Sequence, residues 1–300
     1  LAFCTTKFGR AVLAALFLLP CLALTGCLRH TRMVATVVRP THVQTATLGE
    51  ILAQVNQRDD AIHSLSLAVT ITASVGGAHA GKVTDYTSLS GYILLQKPDK
   101  LRVLGLVPVL HNKAFDMASD GETFKLLIPA KGKLITGSNK IEKPSPVAME
   151  NFRPYVFTES LLVAAIPPSD FTYMAAENHF DTDAKTRGMV ERLDYDIGVL
   201  HRKAETNQLL PSRIIHISRV DLLPYEQDLY DAKGAIETQA YYSGYRDFNG
   251  VQFPSTIRIV RPQEEFEITL TVEKLTENLK LGADQFELTA PPGIQVQKLP

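Results

Sequence analysis

Residues 65–75 read Leu-Ser-Leu-Ala-Val-Thr-Ile-Thr-Ala-Ser-Val. Leu65, Leu67, Val69, Ile71, Ala73 and Val75 face one way, and Ser66, Thr70, Thr72 and Ser74 the other. Side chains of an extended chain alternate between faces, so a period of two sustained over this run predicts a half-buried strand.

Immediately upstream the period is different. From Thr47, the residues Leu48, Ile51, Leu52, Val55 and Ile62 fall on one helical face, with Glu50 in the first turn where its charge suits the helix dipole. Downstream the strand pattern returns repeatedly: SLSGYILLQ (88–96), KLRVLGL (100–106), NKAFDMAS (112–119), TFKLLIPA (123–130) and KLITG (133–137). Asp120-Gly121 marks a hairpin between two of them. The rhythm breaks over 144–166, where a short helix is expected from Glu159 to Ile166, stopped by Pro167-Pro168. It resumes in DFTYMAAE (170–177), GMVERLDYDI (188–197), SRIIHIS (212–218), AIETQAYYSGYR (235–246), FPSTIRIV (253–260) and EFEITLTVEKL (265–275), with Asn249-Gly250 as another tight turn.

No βαβ rhythm appears, so the sheet is expected to be mostly antiparallel. About ten such strands twist and curl. The expected fold is therefore mostly β, of the α+β kind: a curled antiparallel sheet forming an unclosed half-barrel with a small helical lid.

The beginning of the chain carries a separate message. Lys7 and Arg10 precede an apolar run from Ala11 to Ala23, too short to span a bilayer comfortably but the length of an export-signal core. Leu24-Thr25-Gly26-Cys27 follows, matching a bacterial lipobox: an aliphatic residue, two small ones, then cysteine. The organisation expected is a signal peptide over 1–26, cleaved between Gly26 and Cys27, then a flexible tether over 27–46, and one domain over 47–300. Cys27 would carry diacylglycerol and an N-acyl chain, and no other cofactor is expected. The tether, with Arg29, Arg32 and Arg39 and no acid before residue 47, would reach roughly 25 Å from the bilayer. Leu28 follows Cys27, which by analogy with enterobacterial sorting directs a lipoprotein to the periplasmic side of the outer membrane.

The three cysteines are 4, 21 and 27. Cleavage and lipidation would consume them all, leaving no thiol for catalysis or metal binding. With 31 basic and 32 acidic residues the chain lacks the charge of a nucleic-acid binder. The eight histidines show neither His-x-His nor His-Glu-x-x-His spacing. Asp181-Thr182-Asp183 lacks the glycine and distant glutamate of a calcium loop. No Gly-x-Ser-x-Gly elbow or phosphate-cradling loop occurs. No catalytic residue and no metal ligand is assigned, and a binding protein is expected rather than an enzyme.

Three segments carry a likeness. ASDGETFKLLIPAKGKLITG (118–137), YYSGYRDFNGVQFPSTIRI (241–259) and NLKLGADQFELTAPPG (278–293) resemble the Asp-Gly hairpin, the Tyr-x-x-Tyr…Gly…Pro strand pair and the closing Phe…Pro-x-Gly segment of the LolA/LolB superfamily of lipoprotein carriers and receptors. The resemblance covers roughly residues 47–296, by order of elements more than by identity. It implies an unclosed barrel whose apolar interior holds the acyl chains of lipoproteins or lipids in transit, with a periplasmic carrier as a candidate partner. The lining expected on this reading comprises Leu67, Val69, Ile93, Leu95, Phe115, Met117, Phe124, Leu126, Ile257, Ile259, Phe266, Ile268 and Leu270. The receptor also inserts an exposed leucine into the membrane. The matching loop here is LVPVLHNK (106–113), with Leu106, Val107 and Leu110, although it lacks the receptor's Pro-Leu-Gly. The competing expectation is a structural or assembly lipoprotein of the cell envelope, with a closed core and no acyl ligand.

Overall fold

A computed structural model describes residues 36–139, 153–183, 186–203 and 206–299. The signal peptide, the Gly26–Cys27 cleavage site and lipidated Cys27 lie outside the described residues. Two units are distinguished: Pro40–His179 with Arg192–Pro300, and the chain up to Arg39 with Phe180–Glu191.

In chain order the elements are β1 (Val37–Val38), α1 (Leu48–Asp60), β2 (Ser64–Gly77), β3 (Lys82–Asp85), β4 (Leu89–Gln96), β5 (Lys100–Leu106), β6 (Lys113–Ser119), β7 (Thr123–Ile128), β8 (Lys133–Ser138), α2 (Tyr155–Leu161), β9 (Phe171–Thr182), β10 (Met189–Arg202), β11 (Leu209–Ser218), β12 (Pro224–Tyr230), β13 (Ile236–Phe248), β14 (Val251–Arg261), β15 (Phe266–Glu277) and β16 (Gln295–Lys298). In the larger unit the strand order is β10-β11-β12-β13-β14-β15-β2-β4-β5-β6-β7-β8-β16, with β3 beside β2 and β9 beside β10. The path does not return on itself. The fold is mostly β, an open half-barrel with a small helical cover, and β16 joins β8 in parallel.

The run at 65–75 is the hinge of this order. β2 pairs antiparallel with β15 on one side and β4 on the other, so it is flanked by strands distant from each other in sequence. Its alternation sets the register of whole rows. Leu275, Leu67, Ile93, Val103, Met117, Leu126 and Ile135 lie opposite one another across seven strands. A second row runs Ile197, Ile215, Gln227, Ala240, Ile259, Ile268 and Ala73. Both rows lie on the face that forms the core, and one slipped residue would turn every member outward.

Helix α1 starts at a capping box: Glu50 N donates to Thr47 Oγ1, while Thr47 N donates to the Glu50 carboxylate at 2.7 Å. These bonds hold the Glu50 carboxyl below its usual range, the backbone bond first. Ile51 and Val55 of α1 pack on Tyr195, Ile197, Val199, Ile215 and Ile217 of β10 and β11.

Three sequence expectations need correcting. The lid helix is Tyr155–Leu161, not Glu159–Ile166; it begins behind Pro154, and Leu162 is already extended (φ −132°, ψ 146°). Among the described residues sixteen strands pair, rather than about ten. The described part of the stretch expected as a tether makes separate contacts in each unit. In the smaller unit Val37–Val38 pair in parallel with Met189–Val190 and Arg39 meets Glu191 at 2.7 Å. In the larger unit Gln44 N donates to Arg219 O. Finally, β12, like β1, β3 and β16, has no counterpart among the expected strands.

The opposite face of β5–β8 is covered by the chain's closing segment. Ala118, Leu127 and Leu134 pack against Leu288 there. Asp116, fully buried beneath it, accepts from Arg102 Nε and Nη2 and from Lys113 Nζ at 2.8–3.0 Å. Desolvation raises the pKa of the Asp116 carboxyl, but those cationic donors outweigh it and leave the pKa below the usual range.

Candidate functional site

All thirteen residues expected to line a cavity come together on one face. Twelve are buried in a single apolar cluster, and Phe115 packs against it half-buried. The cluster also takes in Val156, Phe157 and Leu161 from the underside of α2. The packing is tight: a Cβ on Gly105 would meet the Phe115 ring at 2.4 Å, so only glycine lets that ring lie against the sheet.

The open spaces lie elsewhere: Phe124 alone of the thirteen borders one, of about 500 Å³ between β5–β7 and the segment Ala283–Leu288, and none lines the other. The latter, a cleft of about 270 Å³, runs under the C-terminal half of α1, between it and the hairpin of β13 and β14. Val55, Ile62, Leu161, Val163, Ile217 and Phe253 form its apolar wall, and Gln54, Arg58, Asp59 and Glu277 its polar residues. Arg58 Nη2 reaches Gln252 Oε1 at 3.4 Å across the space. Asp59 is paired with Lys97 Nζ at 2.6 Å.

Tyr242 and Tyr245, the Tyr-x-x-Tyr pair of the sequence, both line this cleft. At i and i+3 they would point to opposite faces of a regular strand. Gly244 between them, at φ +62°, turns the backbone and brings both rings to the same wall. Tyr242 Oη donates to Ser160 O at 3.0 Å and Tyr245 Oη to Pro224 O at 2.7 Å. Burial pushes both phenols well above their ordinary pKa, so they are neutral donors at any physiological pH.

The roof is the segment from α2 to Ile166, and side-chain donors hold its backbone. Gln227 Nε2 donates to Glu159 O and Tyr242 Oη to Ser160 O; Arg213 Nη2 donates to Ala165 O; Asn56 bonds both the N–H and the carbonyl of Ile166. At the other end, buried Arg261 takes Glu264 in a two-pronged pair, donates to Thr238 and meets Glu237 at 3.1 Å, with Tyr155 of α2 over the guanidinium. Tyr155 Oη donates to Glu237 at 2.7 Å. The Glu159 carboxyl is pushed upward by loss of hydration and then by Glu237, while Arg261 and Arg213 oppose the shift. Its side chain keeps solvent contact, which moderates that shift.

The loop read as membrane-inserting joins β5 to β6. Leu106 and Val107 are half-buried at its base, while Leu110 is 69% exposed. Val109, which the sequence reading did not single out, is 89% exposed with φ +70°, a backbone region that a β-branched residue rarely adopts.

The chain is similar to a LolA superfamily protein from Nitrosomonas europaea at 12% identity over 81% of this chain and 99% of that one, with a TM-score of 0.48. A DUF1329 family protein from Desulfovibrio piger matches at 14% identity over 79% of this chain and 95% of its own, with a TM-score of 0.47. Neither likeness bears on what this chain binds. No protein-family model matches the chain, and no curated protein does.

Proposed function

We propose that the protein is a lipid-anchored binding protein of the bacterial cell envelope. In this reading it admits an acyl chain of a lipoprotein or lipid, such as a palmitoyl chain, through the cleft and holds it against the apolar face of the sheet. One observation carries this reading: the cleft and the core share a wall. Ile62, Leu161, Tyr242 and Phe253 belong to both, and Val163 packs on the apolar clusters under α1 and α2 alike.

Magnitudes decide how this would work. At about 270 Å³ the cleft lies just below the usual ~300–1,000 Å³ of ligand sites, so a whole acyl chain needs the α2 segment to lift. Lifting exposes Val156, Phe157 and Leu161, at about 1.5–3 kcal/mol each. The hydrogen bonds to the segment add about 1 kcal/mol each. Burying a methylene returns ~0.8 kcal/mol, so about ten of them offset most of that cost. Such a near balance suits uptake and hand-over better than permanent storage. The exposed Val109 and Leu110 supply a tip for contact with the membrane, and the expected acyl groups on Cys27 would keep the protein there, on the periplasmic face of the outer membrane.

The packing of the thirteen residues favours a second reading, a structural or assembly lipoprotein with a closed core. Native mass spectrometry of the chain from Leu28 onward, without the anchor, separates the two. Co-purified lipid, or a fluorescent fatty acid displaced by palmitate, supports the first. An empty protein that leaves the probe unshifted establishes the second.

A further inference from the structure

The face of β10–β12 turned away from the core carries a cluster that the acyl-binding reading does not use. On β11 and β12, His216 and Glu226 are directly opposite each other, and Asp228 projects from the same side two residues along. One ligand atom from each lies within 4.8 Å of the others. Neighbouring groups hold all three in place. His216 Nδ1 bonds Asp196 Oδ1 of β10 at 2.8 Å, Gln239 Nε2 donates to Asp228 Oδ1 at 2.9 Å, and Tyr241 bonds Glu226.

The decisive atom is His216 Nε2. It is buried, has no hydrogen-bond partner, and faces Asp228 Oδ2 at 3.6 Å. That distance is too long for a hydrogen bond. Two ligands sharing one ion with bonds of about 2.1 Å in tetrahedral geometry stand about 3.4 Å apart, so 3.6 Å fits a pair with an ion between them. The carboxylate on the far ring nitrogen is the usual outer partner of a metal-bound histidine, fixing the tautomer with its lone pair on Nε2. An imidazolium would instead sit as an ion pair between Asp196 and Asp228, and metal titration separates that state from a bound ion.

We infer that His216, Glu226 and Asp228 form a binding site for a divalent cation of the zinc type, with Asp196 orienting His216. One imidazole nitrogen and two carboxylate oxygens are a donor set suited to zinc, and water would complete the coordination. Asp196, Glu226 and Asp228 face one imidazole, Arg192 offsets part of their charge, and an ion would neutralise the rest. The ion would stitch β11 to β12. Arg213 and Gln227, which hold the α2 segment, project from the opposite face of those strands, so the site would stiffen the frame of the lid.

The test uses the full chain stripped with chelator and titrated with zinc by calorimetry and with cobalt by visible absorption. One equivalent should bind, with the ligand-field bands of a four- or five-coordinate cobalt ion. Asp196→Asn should weaken zinc binding by about 10–100-fold, and His216→Gln should abolish both signals. Glu226→Gln, at the half-exposed edge of the cluster, tests the same ligand set if His216→Gln fails to fold. Absence of a cobalt spectrum in the unaltered chain overturns the inference, as does zinc affinity unchanged in His216→Gln or, failing that, in Glu226→Gln. Either result leaves the cluster a set of ion pairs, and neither touches the acyl-chain reading, which the fatty-acid probe decides separately.

Discussion

Across β2 and β4–β8 the inner face is filled by its own side chains: Leu67, Ile93, Val103, Met117, Leu126 and Ile135 form one row, all buried. Across β11–β14 the same face is interrupted by Arg213, Gln227, Thr238, Tyr242 and Arg261, all buried. Buried polar groups are costly without partners. Here Gln227, Tyr242 and Arg213 give their hydrogens to backbone carbonyls of the 159–165 segment, and Arg261 ties down Tyr155 through Glu237. The two halves teach different things about the molecule. One keeps an unbroken apolar row, while the other is tied by hydrogen bonds to a separate piece of chain, and the cleft opens beside that piece.

The largest expected effect tests the self-filled half. Ile93→Ala should cost about 2–5 kcal/mol of unfolding free energy in urea, because the row around it has no mobile part to collapse into the hole. Phe157→Ala deletes a larger side chain, which in a rigid core costs about 3–5 kcal/mol. Because it also loosens α2 from the sheet, Phe157→Ala should speed hydrogen exchange over 155–166 more than over β4, whereas Ile93→Ala should not. Equal acceleration of the two regions in both variants would erase the contrast between the halves.

Next in size is Tyr242→Phe. It removes one donor from Ser160 O while keeping the ring in the wall. The cost should be about 1 kcal/mol. On the reading that the segment gates the cleft, a fluorescent fatty acid should enter about fivefold faster, since 1.4 kcal/mol corresponds to tenfold. An uptake rate equal to that of the unaltered chain would mean that the segment does not open along this bond.

These contrasts also explain what could be read from residues alone. β2, β4, β5 and β15 were legible because one face meets the core and the other meets water, and the alternation follows. β12, Pro-Tyr-Glu-Gln-Asp-Leu-Tyr, was not, because its core-facing residue at the centre is Gln227, whose reason for burial is Glu159 O some seventy positions away. The lid helix was displaced toward its end because Leu161-Leu162-Val163-Ala164-Ala165-Ile166 is an apolar run that suits a helix. The chain is instead extended from Leu162, where the carbonyls of Ala165 and Ile166 go to Arg213 and Asn56. The thirteen inner residues were found as a set because their pattern encodes burial. Pattern says nothing of whether a buried face meets side chains or a guest, and the cleft, built from the ends of α1, β11 and a hairpin, has no period at all. The metal-ligating trio escaped for a related reason: its spacing exists only across paired strands.

The smallest effect on stability should come from the loop between β5 and β6, and it bears on both halves at once. Leu110 is largely exposed, so Leu110→Glu should change unfolding free energy by less than about 0.5 kcal/mol. Its effect on membranes should be larger. A leucine side chain taken from water into an apolar phase is worth about 1.5–3 kcal/mol, so the variant, lacking the lipid anchor, should bind phospholipid vesicles at least about tenfold more weakly in a sedimentation assay. The tip springs from β5 and β6, inside the rigid row, whereas the cleft opens beside the fastened cover. A carrier benefits from that division: the part that touches the bilayer keeps its shape while the part that admits the chain yields. Vesicle binding unaltered by Leu110→Glu would leave the tip without a role and the division without a purpose, whatever the fatty-acid probe reports.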